Sequence, residues 1–350
     1  MKISRILAKT LMWIVIVALV AFAGLIIYAV ATDYKPKEKE VITVNDTQGV
    51  LPDSATITLL TWNIGYCGLD KQMDFFYDGG TKVFTPKETM VKNLMSVISF
   101  LKKNDSVDFI LLQEVDRKSK RSYDVDQHDA ITAHLPYNSK LFATNYDVFF
   151  VPLPVSSPMG HVYSGLTIMS KAEPSSSIRY AFPGKYGFPK QLFMLDRCFI
   201  VNRYPMSNGK ELVLINTHNE AFDPGDIRKA QMEYLRKFIS DEYGKGNYVI
   251  AGGDWNQCPP SFTPAFANNK VNTDQMVIPS DFMGSDWKWV YDPQVPSNRS
   301  VVAAYDPATT TTTVIDFFLL SPNIKSISVS CVDLGFEYSD HNPVKIKVQL

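Results

Sequence analysis

Six segments of this chain pair an apolar run with a polar residue suited to acid–base or metal chemistry. ITLLTW is followed by Asn63, DFILLQ by Glu114, ELVLINT by His218, and YVIAGG by Asp254 with Asn256 two residues on. IDFFLL carries Asp316, and SDHNPV carries Asp340 and His341. Carboxylates and amides hold hard cations and orient or deprotonate water, and imidazoles stabilise charge developing on phosphoryl oxygens. Pockets in α/β sheets form at the carboxyl ends of strands, so strand tips facing one way collect such groups into one cleft. One such strand carries no weight. Six in order make a site that cleaves phosphate esters the best single explanation.

Each residue also has a plainer reading. Asp254 and Asn256, on a turn preceded by two glycines, fit an activated water as well as an Asx turn. Glu114 fits a ligand for an oxygen-preferring ion such as Mg²⁺ or a solvated loop carboxylate. Asn63 fits the same site or a turn. His218 and His341 fit phosphoryl donors or structural histidines. Asp316 is flanked by apolar residues, where an unpaired charge is costly, so it is expected to orient a histidine through the far ring nitrogen. The basic run Arg117–Arg121 fits either steering of an anionic substrate or a solvated face.

The elements that must position these groups are legible. Thr85-Pro86-Lys87-Glu88 has the form of a capping box, and Met90, Val91, Leu94, Val97, Ile98 and Leu101 follow at helical spacing, which predicts a helix over 86–103. A second helix is expected from Asp226, with Ile227, Ala230, Tyr234, Phe238 and Ile239 on one face. Ser207–Lys210 reads as a hairpin turn, and further strands are expected at YDVFFV, SGLTIMS, ISVSCVDL and VKIKVQL. Gln257 to Thr312 is long and irregular, as functional loops often are. Many strands with both hairpins and crossovers predict a mixed-sheet sandwich with helices outside.

Leu11–Ala31 is an uninterrupted apolar run of 21 residues, long enough to span a bilayer. Lys2, Arg5 and Lys9 precede it. Residues 1–10 are a basic segment, 11–31 a retained signal-anchor, 32–54 a linker and 55–350 one catalytic domain. The expected arrangement is membrane-anchored with the domain outside the cytoplasm. The competing reading is a signal peptide cleaved after AVA, before Thr32, giving a secreted protein. Of the 35 basic residues, setting those three aside leaves 32 against 36 acidic, about −4. That excludes a broad electrostatic footprint for duplex DNA. Cys67, Cys198, Cys258 and Cys331 form no CxxC pair, which argues against zinc-ribbon and redox motifs.

TWNIG, LLQEVD, INTH, GGDWN, the IDFFLL aspartate and the terminal SDHNPV occur in an order that resembles the endonuclease/exonuclease/phosphatase family, from about Ile57 to the C-terminus. That family includes pancreatic-type deoxyribonucleases, abasic-site endonucleases, sphingomyelinases and inositol-polyphosphate 5-phosphatases. The resemblance implies a four-layer α/β/β/α sandwich and Mg²⁺-dependent hydrolysis of phosphate esters, with Mn²⁺ able to substitute. It implies that Glu114 binds the metal with Asn63 beside it, and that Asp340 is a further metal-linked position. It implies that Asp254 activates the attacking water with Asn256 as its neighbour. His341 would contact the phosphate, oriented by Asp316, and His218 would be the second phosphoryl-bonding histidine. Arg197, in DRCFIV, sits where many members carry a substrate-binding arginine. The INTH histidine places the chain nearer the deoxyribonuclease, sphingomyelinase and phosphatase branches than the abasic-site branch.

The expected function is therefore metal-dependent phosphoesterase activity on a nucleic acid, a phospholipid or a small phosphorylated metabolite. No protein partner is inferred. A catalytically dead binding module on the same fold is the alternative, and the presence of every key carboxylate counts against it.

Overall fold

The computed structural model describes residues 2–45, 49–223, 225–266 and 277–350. Its elements run α1 (Lys2–Thr32), β1 (Lys39–Ile42), β2 (Thr56–Asn63), α2 (Lys87–Lys103), β3 (Phe109–Asp116), α3 (Gln127–Ala133), β4 (Ser139–Val151), β5 (Gly160–Ser170) and β6 (Ser176–Ala181). They continue with β7 (Cys198–Pro205), β8 (Glu211–His218), α4 (Asp226–Gly244), β9 (Tyr248–Asp254) and β10 (Lys288–Val290). The last are β11 (Asn298–Arg299), β12 (Thr312–Thr313), β13 (Asp316–Leu320), β14 (Lys325–Cys331) and β15 (Val344–Gln349).

Two mixed sheets result. One has the order β14-β15-β2-β3-β5-β4, the other β1-β6-β7-β8-β9-β13-β10. Near the centre of each lies one parallel pair, β2–β3 and β8–β9. Parallel neighbours need a crossover, and α2 and α4 supply it. Alternate residues of these strands then face opposite ways. Leu59, Phe109 and Leu111 of one sheet pack against Leu212, Leu214, Ile250 and Phe318 of the other. Leu60, Trp62, Ile110 and Leu112 turn outward onto Met90, Leu94, Val97 and Leu101 of α2. Val213, Ile215, Val249 and Ala251 turn outward onto Met232, Leu235 and Ile239 of α4. Burial on both faces is why these strands read as continuous apolar runs. The expected sandwich is the observed one.

Three local expectations differ. The Thr85 hydroxyl does not cap α2; it donates to Gly68 O at 2.7 Å, and the first turn has no side-chain cap. The core face of α4 is centred on Met232, Leu235 and Ile239, while Ile227, Ala230, Tyr234 and Phe238 flank it half-buried. Lys39–Ile42, inside the segment expected as a linker, pairs with β6 as an edge strand. All four cysteines are buried free thiols.

Candidate active site

The two parallel pairs end side by side, so Asn63 and Glu114 come from one sheet, and His218 and Asp254 from the other. Strand β13 runs antiparallel to β9 with Asp316 opposite Asp254. The loop carrying Asp340 and His341 is pinned over this edge. Ser339 Oγ donates to Asn63 O at 2.8 Å, and Trp62 Nε1 donates to His341 O at 2.8 Å.

Two backbone features aim the carboxylates. Glu114 has φ +51°, and the β3–β5 register shifts between Leu112 and Val115. This bulge takes Glu114 out of the strand's alternation, as bulges beside active sites do. Gly253 has φ +140°, and a Cβ there would lie 2.1 Å from Thr217 O on the neighbouring strand. Only glycine fits, so the residue before Asp254 is dictated by strand packing.

Beneath the tips, the two sheets are tied by polar groups. Asn216 Oδ1 accepts from Gln113 Nε2 at 2.7 Å, while Asn216 Nδ2 donates to Leu112 O and Thr167 O at 3.0 Å. Both side chains are fully buried. Gln113 precedes Glu114, and Asn216 lies two residues before His218.

Asp254 Oδ2 is the point of convergence. It accepts from Asn63 Nδ2 at 2.9 Å, with His218 Nε2 at 3.5 Å and His341 Nε2 at 3.8 Å. Its Oδ1 accepts from Asn256 N at 2.9 Å. Asn63 Nδ2 also lies 3.2 Å from Glu114 Oε1, and Asn63 Oδ1 accepts from Gly65 N. Asn63 thus presents its amino group, not its oxygen, to the carboxylates. His341 Nδ1 donates to Asp316 Oδ2 at 2.8 Å, which also accepts from Ser297 Oγ at 2.7 Å.

Charge is sorted by this geometry. Burial pushes the Asp254 carboxyl up to about 6; the nearby Asp316 charge adds to this and His341 opposes it. Burial pushes Asp340 up to about 7, with Glu114 adding to it and His341 and Arg299 opposing. Burial pulls His341 down, but Asp316, Asp340 and Asp254 outweigh it and hold the ring well above its ordinary value. Burial takes His218 well below, helped by the Arg197, His341 and Arg121 charges. The surrounding charges thus favour protonation of His341 and oppose it at His218.

Asp254, Asp316 and His341 place ligand atoms within 4.8 Å of one another. Within that trio only His341 and Asp316 are hydrogen-bonded, through Asp316 Oδ2, which Ser297 also occupies; His341 Nε2 stands 3.8 Å from Asp254 Oδ2. On the other side Asp340 is buried and repelled by Glu114, and a hard divalent cation held between these carboxylates would relieve both.

Arg197 is buried 3.7 Å from Glu220, and its Nε and Nη1 have no hydrogen-bond partner among the described residues. It lines the same cleft as His218 and Asp254, a cavity of about 420 Å³. Asn256 adopts φ +50° and ties its Nδ2 to Asn219 O at 2.9 Å. Seven of the nine sequence-derived site residues line this cleft, and Asn63 and Asp316 sit behind it, hydrogen-bonded to Asp254 and His341.

Sequence reasoning missed Ser297 and Asn298. Asn298 Nδ2 lies 3.0 Å from His341 Nε2. Both come from the irregular segment, which has no periodicity to flag them. The two arginines of the basic run are tied down, leaving Lys118 and Lys120 exposed. Arg121 is buried, paired with Asp116 at 2.8 Å and stacked on Tyr66 at 3.8 Å. Arg117 pairs with Asp126 and Asp129. Those nearby acids were the available signal.

The sequence profile of the endonuclease/exonuclease/phosphatase family matches residues 60–341. The chain belongs to this family. No curated protein matches it by sequence. Solved structures share the fold. An endonuclease/exonuclease/phosphatase from Beutenbergia cavernae DSM 12333 is 14% identical, with a TM-score of 0.56 over 84% of this chain and 72% of that one. ANGEL2, a 2',3'-cyclic phosphatase in complex with adenosine-2',3'-vanadate, is 15% identical, with a TM-score of 0.55 over 91% and 99%. D. rerio TDP2 complexed with single-strand DNA product is 14% identical, with a TM-score of 0.52 over 85% and 100%. Enzymes of the endonuclease/exonuclease/phosphatase family are generally divalent-metal-dependent phosphoesterases.

Proposed function

We propose that this chain is a Mg²⁺-dependent phosphoesterase that cleaves a P–O bond by in-line attack of water. The observation that supports it most is the convergence of Asn63, His218 and His341 on one carboxylate oxygen of Asp254. A carboxyl near 6 is ionised at neutral pH yet basic enough to accept a proton. Asp254 takes the proton of the attacking water, whose oxygen bonds to phosphorus as the leaving oxygen departs and takes a proton from solvent. Asn63 and the Asn256 amide hold the carboxylate in place.

His341, oriented by Asp316, donates to a phosphoryl oxygen, and His218 donates to another. Arg197 adds a fixed positive charge at the base of the cleft. Glu114 and Asp340 are the cation's ligands, and Asn63 steadies Glu114. When bound, the cation offsets charge on the phosphoryl oxygens. The α1 helix is a retained membrane anchor for a catalytic domain spanning 55–350, outside the cytoplasm.

The test is hydrolysis of bis(p-nitrophenyl) phosphate by the purified full chain, with Mg²⁺ and with EDTA. Activity should require the cation, and Asp254→Ala should lower kcat by about 10³-fold or more with the fold intact. Activity within about tenfold of wild type removes Asp254 from the mechanism.

A further inference from the structure

The anchor and the cleft are joined through the domain. The 21-residue apolar run of α1 is about 31 Å long at 1.5 Å per residue, close to the hydrocarbon thickness of a bilayer. Its last turns are not free of the domain. Leu25, Tyr28 and Ala29 pack around Asp147–Phe150 of β4 and Leu192. The Tyr28 and Phe149 rings lie 4.5 Å apart. Leu25, Tyr28 and Ala29 belong to the final two turns of the apolar run, so a spanning α1 holds this flank of the domain at the bilayer interface.

Two segments lead from that contact to the cleft. Beyond β4, the loop 152–158 runs to Met159, which lines the cleft and donates its N–H to Leu153 O at 3.1 Å. Leu192 lies in the short 3₁₀ turn Lys190–Phe193, whose Lys190 and the following Met194 and Leu195 also line the cleft. These same segments carry exposed apolar side chains. Val155 is 83% exposed, Phe188 65% and Leu153 48%. Apolar tips beside a lysine, on the flank that carries the anchor, suit the bilayer interface. At the cleft mouth Tyr77 and Phe222 are exposed with ring centroids 6.4 Å apart. Met73 and Phe75, in the MDFFYDGG segment that carries Tyr77, are core residues.

We infer that the substrate is a phospholipid drawn from the bilayer that holds α1. Its headgroup phosphate enters over the rim of 153–159 and 188–195, and its acyl chains stay in the membrane or on the apolar wall. This rests on the phosphoesterase reading and on retention of α1. The oxygen of water bonds to phosphorus while Asp254 takes one of its protons, one P–O ester bond breaks, and the leaving alcohol oxygen takes a proton from solvent.

The test reconstitutes the full chain in vesicles of phosphatidylcholine with phosphatidylglycerol, phosphatidic acid or phosphatidylinositol phosphate. Release of headgroup or phosphate is followed with Mg²⁺, beside bis(p-nitrophenyl) phosphate as a soluble substrate. Wild type should hydrolyse at least one lipid. Val155→Asp and Phe188→Asp, both at exposed positions, should each slow lipid turnover about tenfold and leave the soluble substrate within about twofold. Turnover of the soluble ester with no lipid turned over overturns the inference and leaves the phosphoesterase reading standing. So does equal behaviour of the variants and wild type on lipid. No turnover of either substrate overturns the phosphoesterase reading itself.

Discussion

Asn216 is where the geometry of the site is most exposed to a single change. Its side chain sits on one sheet and makes three hydrogen bonds of 2.7–3.0 Å to the other, all fully buried. At about 1 kcal/mol net for each bond, and a small cavity in addition, Asn216→Ala should cost about 3–4 kcal/mol. An unfolding entropy of roughly 2.1 cal/mol/K per residue over roughly 300 residues converts this to a melting-temperature drop of about 5–6 °C. Asn216→Asp keeps the shape but turns a carboxylate oxygen towards Leu112 O and Thr167 O. Only the protonated carboxyl can donate there, so its folded pKa is raised above the unfolded value of about 3.9. For a group raised on folding, the stabilising state is fully present below the unfolded pKa and is lost as pH rises through the folded one. The deficit of Asn216→Asp against wild type should therefore grow by about 1.4 kcal/mol per pH unit above about pH 4, until the folded pKa is passed. Calorimetric melting of both variants and wild type at pH 5 and pH 8 measures this. An alanine variant within about 1 kcal/mol of wild type, or an aspartate deficit that does not change with pH, refutes the idea that this amide clamps the sheets.

Glu114 holds a left-handed backbone at φ +51° that costs a side-chain-bearing residue about 1–2 kcal/mol. Glu114→Gly should thus be more stable than Glu114→Ala by about 1 kcal/mol in urea titration, with both losing the Mg²⁺ response; an alanine variant of equal or greater stability counts against strain there. Asp316→Asn removes the charge that holds His341 up, so the alkaline limb of the kcat profile should move to lower pH and kcat should fall about 10²-fold; an unmoved limb separates His341 from that limb. His128 is held down at about 4, first by burial and then by the Arg117 charge. A group depressed on folding contributes stability above its unfolded pKa that is lost as pH falls, here between about pH 6.5 and 4 and by about 3 kcal/mol. His128→Gln should flatten the stability curve across that window, and an unchanged slope assigns the acid loss elsewhere.

What the sequence made legible and what it left dark divide along a physical line. Asn63, Glu114, His218 and Asp254 each follow an apolar run, and burial on both faces forces such runs to the sheet centres with their carboxyl ends together. Local pattern therefore carried tertiary information. Asp316 was legible because a carboxylate among Val314, Ile315, Phe317 and Phe318 needs a partner, and His341 is that partner. Ser297 and Asn298 were not legible, because they reach the site from an irregular segment where position follows from closure of the chain and no periodicity marks it. Thr85 misled for a related reason: its hydroxyl had a local use as a cap and a tertiary one at Gly68 O, and the tertiary acceptor won. Lys39–Ile42 was dark because a four-residue edge strand facing water has little apolar signal. The contact between the apolar N-terminal helix and the cleft wall was equally hidden, since Tyr28 meets Phe149 only once β4 is placed. That contact changes what the apolar N-terminus means. A run of 21 apolar residues says only that a membrane is within reach. Packing of its final turns against the strand that leads to Met159 ties that run to the wall of the cleft, so if α1 spans a bilayer, the inferred lipid substrate would meet Asp254 without leaving it.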